Sequence, residues 1–295
     1  MPTASLFPNF ECKRIQTSET EINLVVGGEG PPLLLLHGYP QSHIIWHKVA
    51  PKLAEFFTVV ATDLRGYGDS GKPKTDEQHL PYSKRVMAKD QVEVMQYLGF
   101  DTFKVIGHDR GARVAHRMAL DHPKKVEQLV LLDILPTLWL YDNTDQDFAT
   151  NYWHWFFLIQ PYPLPETLIG QSADFMAKAI FGPLLMSGAC KPTAFAAYQR
   201  TVKEADILHA TCEDYRAGAT VDLVHDRADF DERIQCPVQV LWGLKNPAYQ
   251  QRDVLKVWRE KAVNVVGNGL DSGHFIAEEA PEAMLTEVIP FLRNG

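Results

Sequence analysis

The chain has 295 residues, of which 45% are hydrophobic and 22% are charged, a composition that excludes fibrous and disordered proteins. Its formal net charge of −8 argues against a nucleic-acid-binding protein, which normally carries a basic surface. No apolar run approaches the roughly 18 residues that a membrane span needs, and residues 1–23 lack the apolar centre of a signal peptide. The four cysteines form no disulfide framework. We expect a cytoplasmic protein that binds neither nucleic acid nor a membrane.

Short apolar runs separated by longer segments predict an α/β protein. The runs that read as buried strands are 33–36, 58–62, 104–106, 128–132 and 238–242. Most of the intervening segments are long enough for a helix, and this alternation is typical of a mostly parallel sheet flanked by helices.

The pattern changes between the fourth and the fifth run. Residues 138–162 contain nine aromatic side chains, and no strand-like run appears before Val238. We interpret residues 135–226 as an inserted helical cap, or lid, over an apolar pocket, although a packed helix pair would have a similar composition. The predicted domains are a core of residues 1–134 and 227–295 and a cap of residues 135–226.

Two motifs look functional but have a simpler interpretation. Residues 66–71 match G-x-G-x-x-G and are followed by Lys72, but Pro73 stands where a phosphate loop needs Ser or Thr and opposes a helix start. We predict a plain loop there. His43 and His47 have the i,i+4 spacing of metal ligands, yet Ile44 stands where a metalloprotease helix needs Glu. We predict no metal site.

The strongest signal is the sequence GHDRG at residues 107–111, which follows a predicted strand and precedes a helix-like segment. Small residues on both sides of a nucleophile permit the strained turn of a nucleophile elbow. The central residue is Asp109. A helix N-cap would also explain an Asp at this place, but it would not explain the two glycines.

Two further residues follow in the chain order that such an elbow uses, which is nucleophile, acid and histidine. Asp133 ends the predicted strand 128–132, and His274 lies in the segment DSGHF. Many related chains place the acid after the later strand, but that segment ends at Asn246 without a carboxylate. We therefore predict Asp109 as the nucleophile, His274 as the base and Asp133 as the acid that orients it.

An oxyanion hole is predicted from the segment His37-Gly38-Tyr39-Pro40 after the first strand. In an elbow enzyme, the residue after His-Gly and the residue after the nucleophile each donate a backbone N–H. Those residues are Tyr39 and Arg110.

An Asp nucleophile indicates attack on a saturated carbon. The product is an ester on the enzyme, which a His-activated water can hydrolyse, whereas attack by Ser would leave a stable ether. Alkyl halides and epoxides are therefore the indicated substrates. Arg110 and Arg113 lie three residues apart on one helix face, and guanidinium groups bind carboxylates bidentately. They predict a substrate that carries a carboxylate, unless each arginine pairs with a carboxylate of the protein.

With these residues, the chain resembles the haloacetate dehalogenases of the fluoroacetate dehalogenase type, in the α/β-hydrolase fold. The resemblance covers nearly the whole chain and includes the segments HGYPQ at 37–41, DLRGYGDS at 63–70, HDRG at 108–111, LDI at 132–134, WHW at 153–155, EDYR at 213–216 and SGHF at 272–275. It implies the assignments above, Arg110 and Arg113 as a carboxylate clamp, and His154, Trp155 and Tyr215 as halide donors. It also implies a homodimer without a cofactor or metal that hydrolyses a small haloacid, a haloacetate, to glycolate and halide.

Two other functions stay open at this point. An epoxide hydrolase shares the Asp, His and acid and needs two cap tyrosines, for which Tyr141, Tyr152, Tyr198 and Tyr215 are candidates. A small-ligand receptor could keep the same scaffold and triad without catalysis. A haloalkane dehalogenase usually has Trp directly after the nucleophile, where this chain has Arg110.

Overall fold

The computed structural model describes residues 6–249 and 252–294. One eight-stranded sheet has the order β1-β2-β4-β3-β5-β6-β7-β8. Strands β3 to β8 run parallel to their neighbours, whereas β1 and β2 form an antiparallel pair that joins the sheet antiparallel to β4. The strands are β1 (Glu11–Gln16), β2 (Glu21–Gly27), β3 (Pro32–Leu36), β4 (Thr58–Thr62), β5 (Phe103–His108), β6 (Val126–Leu132), β7 (Val238–Gly243) and β8 (Val265–Leu270).

All five predicted strands are present, and the predicted α/β fold class is confirmed. Their continuous apolar sequences are explained by burial of both faces of the sheet. Leu34 and Leu36 of β3 belong to one hydrophobic cluster, whereas Leu33 and Leu35 belong to another on the opposite face. Successive side chains of a strand point to opposite faces, so each face has its own core.

Helices cover both faces of the sheet. One face packs against α2 (Lys84–Tyr97), α3 (Arg110–Asp121) and α14 (Val254–Lys261), and the other against α1 (Ala50–Leu53), α15 (Ile276–Glu279) and α16 (Pro281–Arg293). Short 3₁₀ helices occupy His43–Lys48, Leu80–Tyr82 and Pro247–Tyr249.

The segment between β6 and β7 is helical and contains no strand. Its ten helices are α4 (Thr137–Asp142), α5 (Gln146–Asn151), α6 (Trp153–Leu158), α7 (Leu164–Gln171), α8 (Ala173–Ile180), α9 (Gly182–Met186), α10 (Pro192–Tyr198), α11 (Arg200–Lys203), α12 (Ala205–Ala219) and α13 (Val221–Ala228). The predicted boundary at residue 226 falls inside α13. Parallel strands end at the same edge of the sheet, so the carboxyl ends of β3, β5, β6 and β8 bring the predicted site residues of the core together there. These residues are Tyr39, Asp109, Asp133 and His274.

Candidate active site

Asp109 forms a sharp turn between β5 and α3. Its backbone has φ 46° and ψ −116°, which is rare and strained for a residue with a Cβ. A Cβ at Gly107 would lie 2.6 Å from the Cα of Ala112, and one at Gly111 would lie 2.3 Å from the carbonyl oxygen of His37. Both glycines are therefore needed for the close approach of strand and helix, and the strand–turn–helix geometry is that of a nucleophile elbow.

The structure brings Asp109, Asp133 and His274 together. The Nδ1 of His274 lies 2.5 Å from Oδ2 of Asp133, and its Nε2 lies 3.9 Å from Oδ2 of Asp109. Because a carboxylate accepts, Nδ1 carries the hydrogen toward Asp133 and Nε2 faces Asp109. The backbone N–H of Gly243 donates to Oδ1 of Asp133 over 2.7 Å. Asp133, with φ 55°, also has a strained backbone.

The charges around Asp109 keep it ionised. Burial alone would raise the pKa of this carboxyl, but the positive potential of His274, His108, Arg113 and Arg110 lowers it below its ordinary value. Burial likewise opposes the protonated form of His274, and its hydrogen bond to Asp133 outweighs this and raises the pKa of His274. The site therefore holds an anionic nucleophile beside a histidine of raised basicity.

The loop after β3 contacts the nucleophile directly. The backbone N–H of Tyr39 donates to Oδ1 of Asp109 over 2.9 Å. Glycine at position 38 permits this contact, because a Cβ there would lie 2.4 Å from the Cβ of Asp109. Arg110 begins helix α3, where backbone N–H groups have no partner within the helix. Of the two N–H groups predicted for an oxyanion hole, that of Tyr39 contacts the Asp109 carboxylate, and that of Arg110 stays a prediction.

The two arginines have different surroundings. Arg110 is held by Asp214, since its Nε and Nη2 donate to the two carboxylate oxygens over 2.9 Å each. Arg113 instead donates from Nη1 to the carbonyl oxygen of Leu135 and the hydroxyl of Thr137, over 2.9 and 3.0 Å. Within residues 6–249 and 252–294, its buried Nε has no hydrogen-bond partner. Of the two arginines, only Arg110 is thus seen paired with a carboxylate of the protein.

The three predicted halide donors lie together. His154 and Trp155 are on α6, and the ring of Tyr215 on α12 lies 6.1 and 6.3 Å from theirs, measured between centroids. Desolvation lowers the pKa of His154 to about 4, so its imidazole is neutral and has one N–H. The buried indole Nε1 of Trp155 has no hydrogen-bond partner in the described part of the chain.

A cavity of about 430 Å³ opens onto this site. Its lining includes Tyr39, Asp109, Tyr152, His154, Tyr215 and His274. Arg110, Arg113 and Trp155 do not belong to this lining. The guanidinium of Arg110 lies 4.2 Å from the ring centroid of Tyr215, which does line the cavity, and that of Arg113 lies 4.6 Å from the ring centroid of Trp155. Both arginines are close enough to lower the pKa of Asp109.

Sequence reasoning missed two polar residues that support the site. Asn246, noted only because it is not a carboxylate, donates from Nδ2 to Oδ2 of Asp133 over 2.5 Å. Asp214, which lies in the quoted segment EDYR, binds Arg110 and also accepts from the Tyr67 hydroxyl over 2.7 Å. The available signal for Asp214 was its place in the sequence, directly before the predicted halide donor Tyr215. Neither partner could be found from spacing, because each comes from a distant part of the chain.

Residues 66–71 and the pair His43 and His47, for which no functional site was predicted, have structural roles. No helix begins within residues 66–79, which confirms the loop interpretation. Asp63 organises this region by accepting from the ring Nδ1 of His43 over 2.7 Å and from the backbone N–H of Asp69 over 2.9 Å. The Nδ1 of His47 lies 3.0 Å from the carbonyl oxygen of Ile44. In residues 6–249 and 252–294, no cluster of three His, Cys, Asp or Glu side chains is arranged to hold a metal ion.

Among the same residues, no helix has the length and apolar character needed to cross a membrane.

Comparison with known proteins agrees with this geometry. The family model of the alpha/beta hydrolase fold matches residues 31–281. A fluoroacetate dehalogenase from Burkholderia sp is 41% identical, covering 98% of this chain and 97% of the relative. A soluble epoxide hydrolase from Corynebacterium sp. (strain C12) is 34% identical over 92% of this chain and 93% of its own. The crystal structure of an alpha/beta hydrolase from Nostoc sp PCC 7120 has a TM-score of 0.94 at 55% identity over 99% of each chain. The chain therefore belongs to the alpha/beta hydrolase family and is a relative of fluoroacetate dehalogenase over nearly all of its length.

Proposed function

We propose that the protein hydrolyses a haloacetate to glycolate and halide through an ester on Asp109. The observation that carries this proposal is the pairing of an Asp nucleophile with Arg113, a buried guanidinium that binds no carboxylate of the described residues and whose Nε–H is unpartnered. A buried cation beside a nucleophile suits a small anionic substrate, and the name of the 41% identical relative supports the same class.

In the first step, an Asp109 oxygen attacks the CH₂ carbon of the haloacetate. The new C–O bond forms as the carbon–halogen bond breaks, and the halide leaves with the bonding electrons. The N–H groups of His154 and Trp155 and the hydroxyl of Tyr215 would donate to the departing halide, because each of these groups is a hydrogen-bond donor. Arg113, with Arg110 beside it, would hold the substrate carboxylate.

In the second step, His274 takes a proton from water, and the water oxygen attacks the Cγ of Asp109. Negative charge collects on the carboxyl oxygen of the ester, where the N–H groups of Tyr39 and Arg110 would stabilise it. The C–O bond between Cγ and the glycolate oxygen then breaks, His274 returns the proton to that oxygen, and glycolate leaves. The net change consumes one water and releases glycolate, halide and a proton.

The helical segment 135–226 is proposed to act as the cap of this site, since α6 and α12 supply the three halide donors. The homodimer and the cytoplasmic location that the sequence suggests stay predictions.

Arg113→Lys is expected to lower kcat/KM for haloacetates by about ten- to a hundred-fold. The variant keeps the charge but loses the planar fork of donors, and a hydrogen bond to a charged group contributes roughly 1.5–3 kcal/mol. Steady-state halide release on folded protein measures the change. A variant as active as the parent would show that the carboxylate binds elsewhere.

An epoxide hydrolase is the second candidate, because a 34% identical relative carries that name and because Tyr152 and Tyr215 both line the cavity. Halide release from fluoroacetate, chloroacetate and bromoacetate, measured beside diol formation from styrene oxide, separates the two functions. Our proposal predicts halide release and no diol. Diol formation alone would favour the epoxide hydrolase, and turnover of neither class would favour a receptor.

A further inference from the structure

Asn246 links the cap to the catalytic acid. It follows β7 and is 4% exposed. Its Nδ2 donates to Oδ2 of Asp133 over 2.5 Å, and its Oδ1 accepts the backbone N–H of Ala248 over 3.1 Å. Because a carboxylate only accepts and a backbone N–H only donates, these two partners fix which way the amide points.

The same amide also binds the cap. The hydroxyl of Tyr152, in the turn that precedes α6, lies 2.8 Å from Nδ2 and 3.0 Å from Oδ1 of Asn246. Tyr152 is two residues before His154 and three before Trp155, so it stands at the start of the helix that carries two of the proposed halide donors. A continuous chain of contacts runs from Tyr152 through Asn246, Asp133 and His274 to Asp109.

We propose, on the basis of the function above, that Asn246 is a positioning residue that shares one oxygen of the Asp133 carboxylate with His274 and links this carboxylate to Tyr152 of the cap. The oxygen that Asn246 binds is the one that accepts from His274. A second donor on that oxygen offsets part of its negative charge. Asn246 thereby limits how strongly Asp133 stabilises the protonated imidazole and keeps the base available for the water-activating step.

Removal of the amide should therefore raise the pKa of His274. The groups that face His274 are Asp133 after β6, Asp109 at the elbow, His108 on β5, Glu279 on α15 and His154 of the cap. Asn246→Leu changes none of these groups and leaves more negative charge on Asp133. We expect a rise on the order of one pH unit, with hydrolysis of the ester slower by about ten-fold and formation of the ester nearly unchanged.

The first readout is an NMR titration of His274 in the free protein, which needs no substrate. Asn268→Leu is the matched control, because Asn268 lies on β8 and its side chain makes a single hydrogen bond among the described residues, to the carbonyl oxygen of Gly269 over 3.4 Å. A higher pKa in Asn246→Leu than in the parent and the control supports the proposal. A pKa of His274 that is equal in all three proteins, or lower in Asn246→Leu, overturns it. If the parent does not release halide, the proposed function is wrong. The comparison of the His274 pKa among the three proteins needs no substrate, so it still tests the role of Asn246.

The second readout is a double-mutant cycle with Tyr152→Phe, measured on hydrolysis of the ester in single turnovers. Tyr152→Phe should slow this step a few-fold in the parent and have no further effect in Asn246→Leu, because the hydroxyl acts on Asp133 only through the amide. An equal effect in both backgrounds would overturn the link to the cap. If Asn246→Leu does not fold, Asn246→Ala, which removes the same amide without adding a branched side chain, takes its place in both measurements.

Discussion

His274→Asn is expected to react with a haloacetate once and then stop. Attack by Asp109 on the CH₂ carbon needs no base, whereas hydrolysis of the resulting ester needs the imidazole to activate water. The proposed roles fit the distances, since Nδ1 of His274 lies 2.5 Å from Oδ2 of Asp133 while its Nε2 lies 3.9 Å from Oδ2 of Asp109. Steady-state turnover should fall by at least about a thousand-fold, and halide release should end near one equivalent.

Intact-protein mass spectrometry of this variant after incubation with bromoacetate should show one carboxymethyl group, located on Asp109 by peptide mapping. Asp109→Asn is the control, since it has nearly the same shape without the anionic nucleophile. An unmodified His274→Asn protein, or modification of cysteine or histidine alone, would contradict covalent catalysis by Asp109.

Trp155→Phe is expected to lower fluoroacetate turnover by about two to three powers of ten while bromoacetate turnover falls much less. The expected decrease is about as large as that caused by removing one preorganised donor from an oxyanion hole, and we expect a halide donor to have a similar effect. Fluoride concentrates its charge as it leaves, so donation from the indole should strengthen toward the transition state, and only such differential stabilisation raises the rate of the chemical step. The buried Nε1 of Trp155 has no other hydrogen-bond partner in the described residues.

The deciding quantity is the ratio of kcat/KM for fluoroacetate to kcat/KM for bromoacetate, in the parent and in the folded variant. Trp139→Phe is the control for the loss of an indole from the cap, because Trp139 lies on α4 and does not line the cavity. A ratio that is unchanged in Trp155→Phe would mean that Trp155 packs the cap without contacting the halide.

The parts of the fold found from sequence are those that local patterns encode. The strands at 33–36, 58–62, 104–106, 128–132 and 238–242 are continuous apolar runs because both faces of the sheet are buried. β1 was missed because it is an edge strand whose side chains are mostly exposed, and β8 because Gly267 and Gly269 interrupt its apolar run. β2, which follows β1, was missed with it.

The site residues likewise divide into those that a local sequence pattern indicates and those that only the folded chain brings together. The elbow around Asp109 was found because the strained turn needs glycine at fixed positions, which leaves a local pattern. The partners of the arginines left no such pattern. The spacing of Arg110 and Arg113 in the sequence does not show whether either is paired with a carboxylate of the protein. Of the two arginines, Asp214 binds Arg110, and it lies in a segment about a hundred residues later. Asn246 shows the same limit, because its role depends on where Asp133 and Tyr152 lie in space.

The most direct test of the ester mechanism is a single turnover of chloroacetate in H₂¹⁸O with the enzyme in excess. If Asp109 attacks the substrate and water attacks the Cγ of Asp109, the first glycolate takes its hydroxyl oxygen from the protein. The ester mechanism predicts unlabelled glycolate and one ¹⁸O in the peptide that contains Asp109. Labelled glycolate with an unlabelled Asp109 peptide would show direct displacement by water and would contradict the ester mechanism.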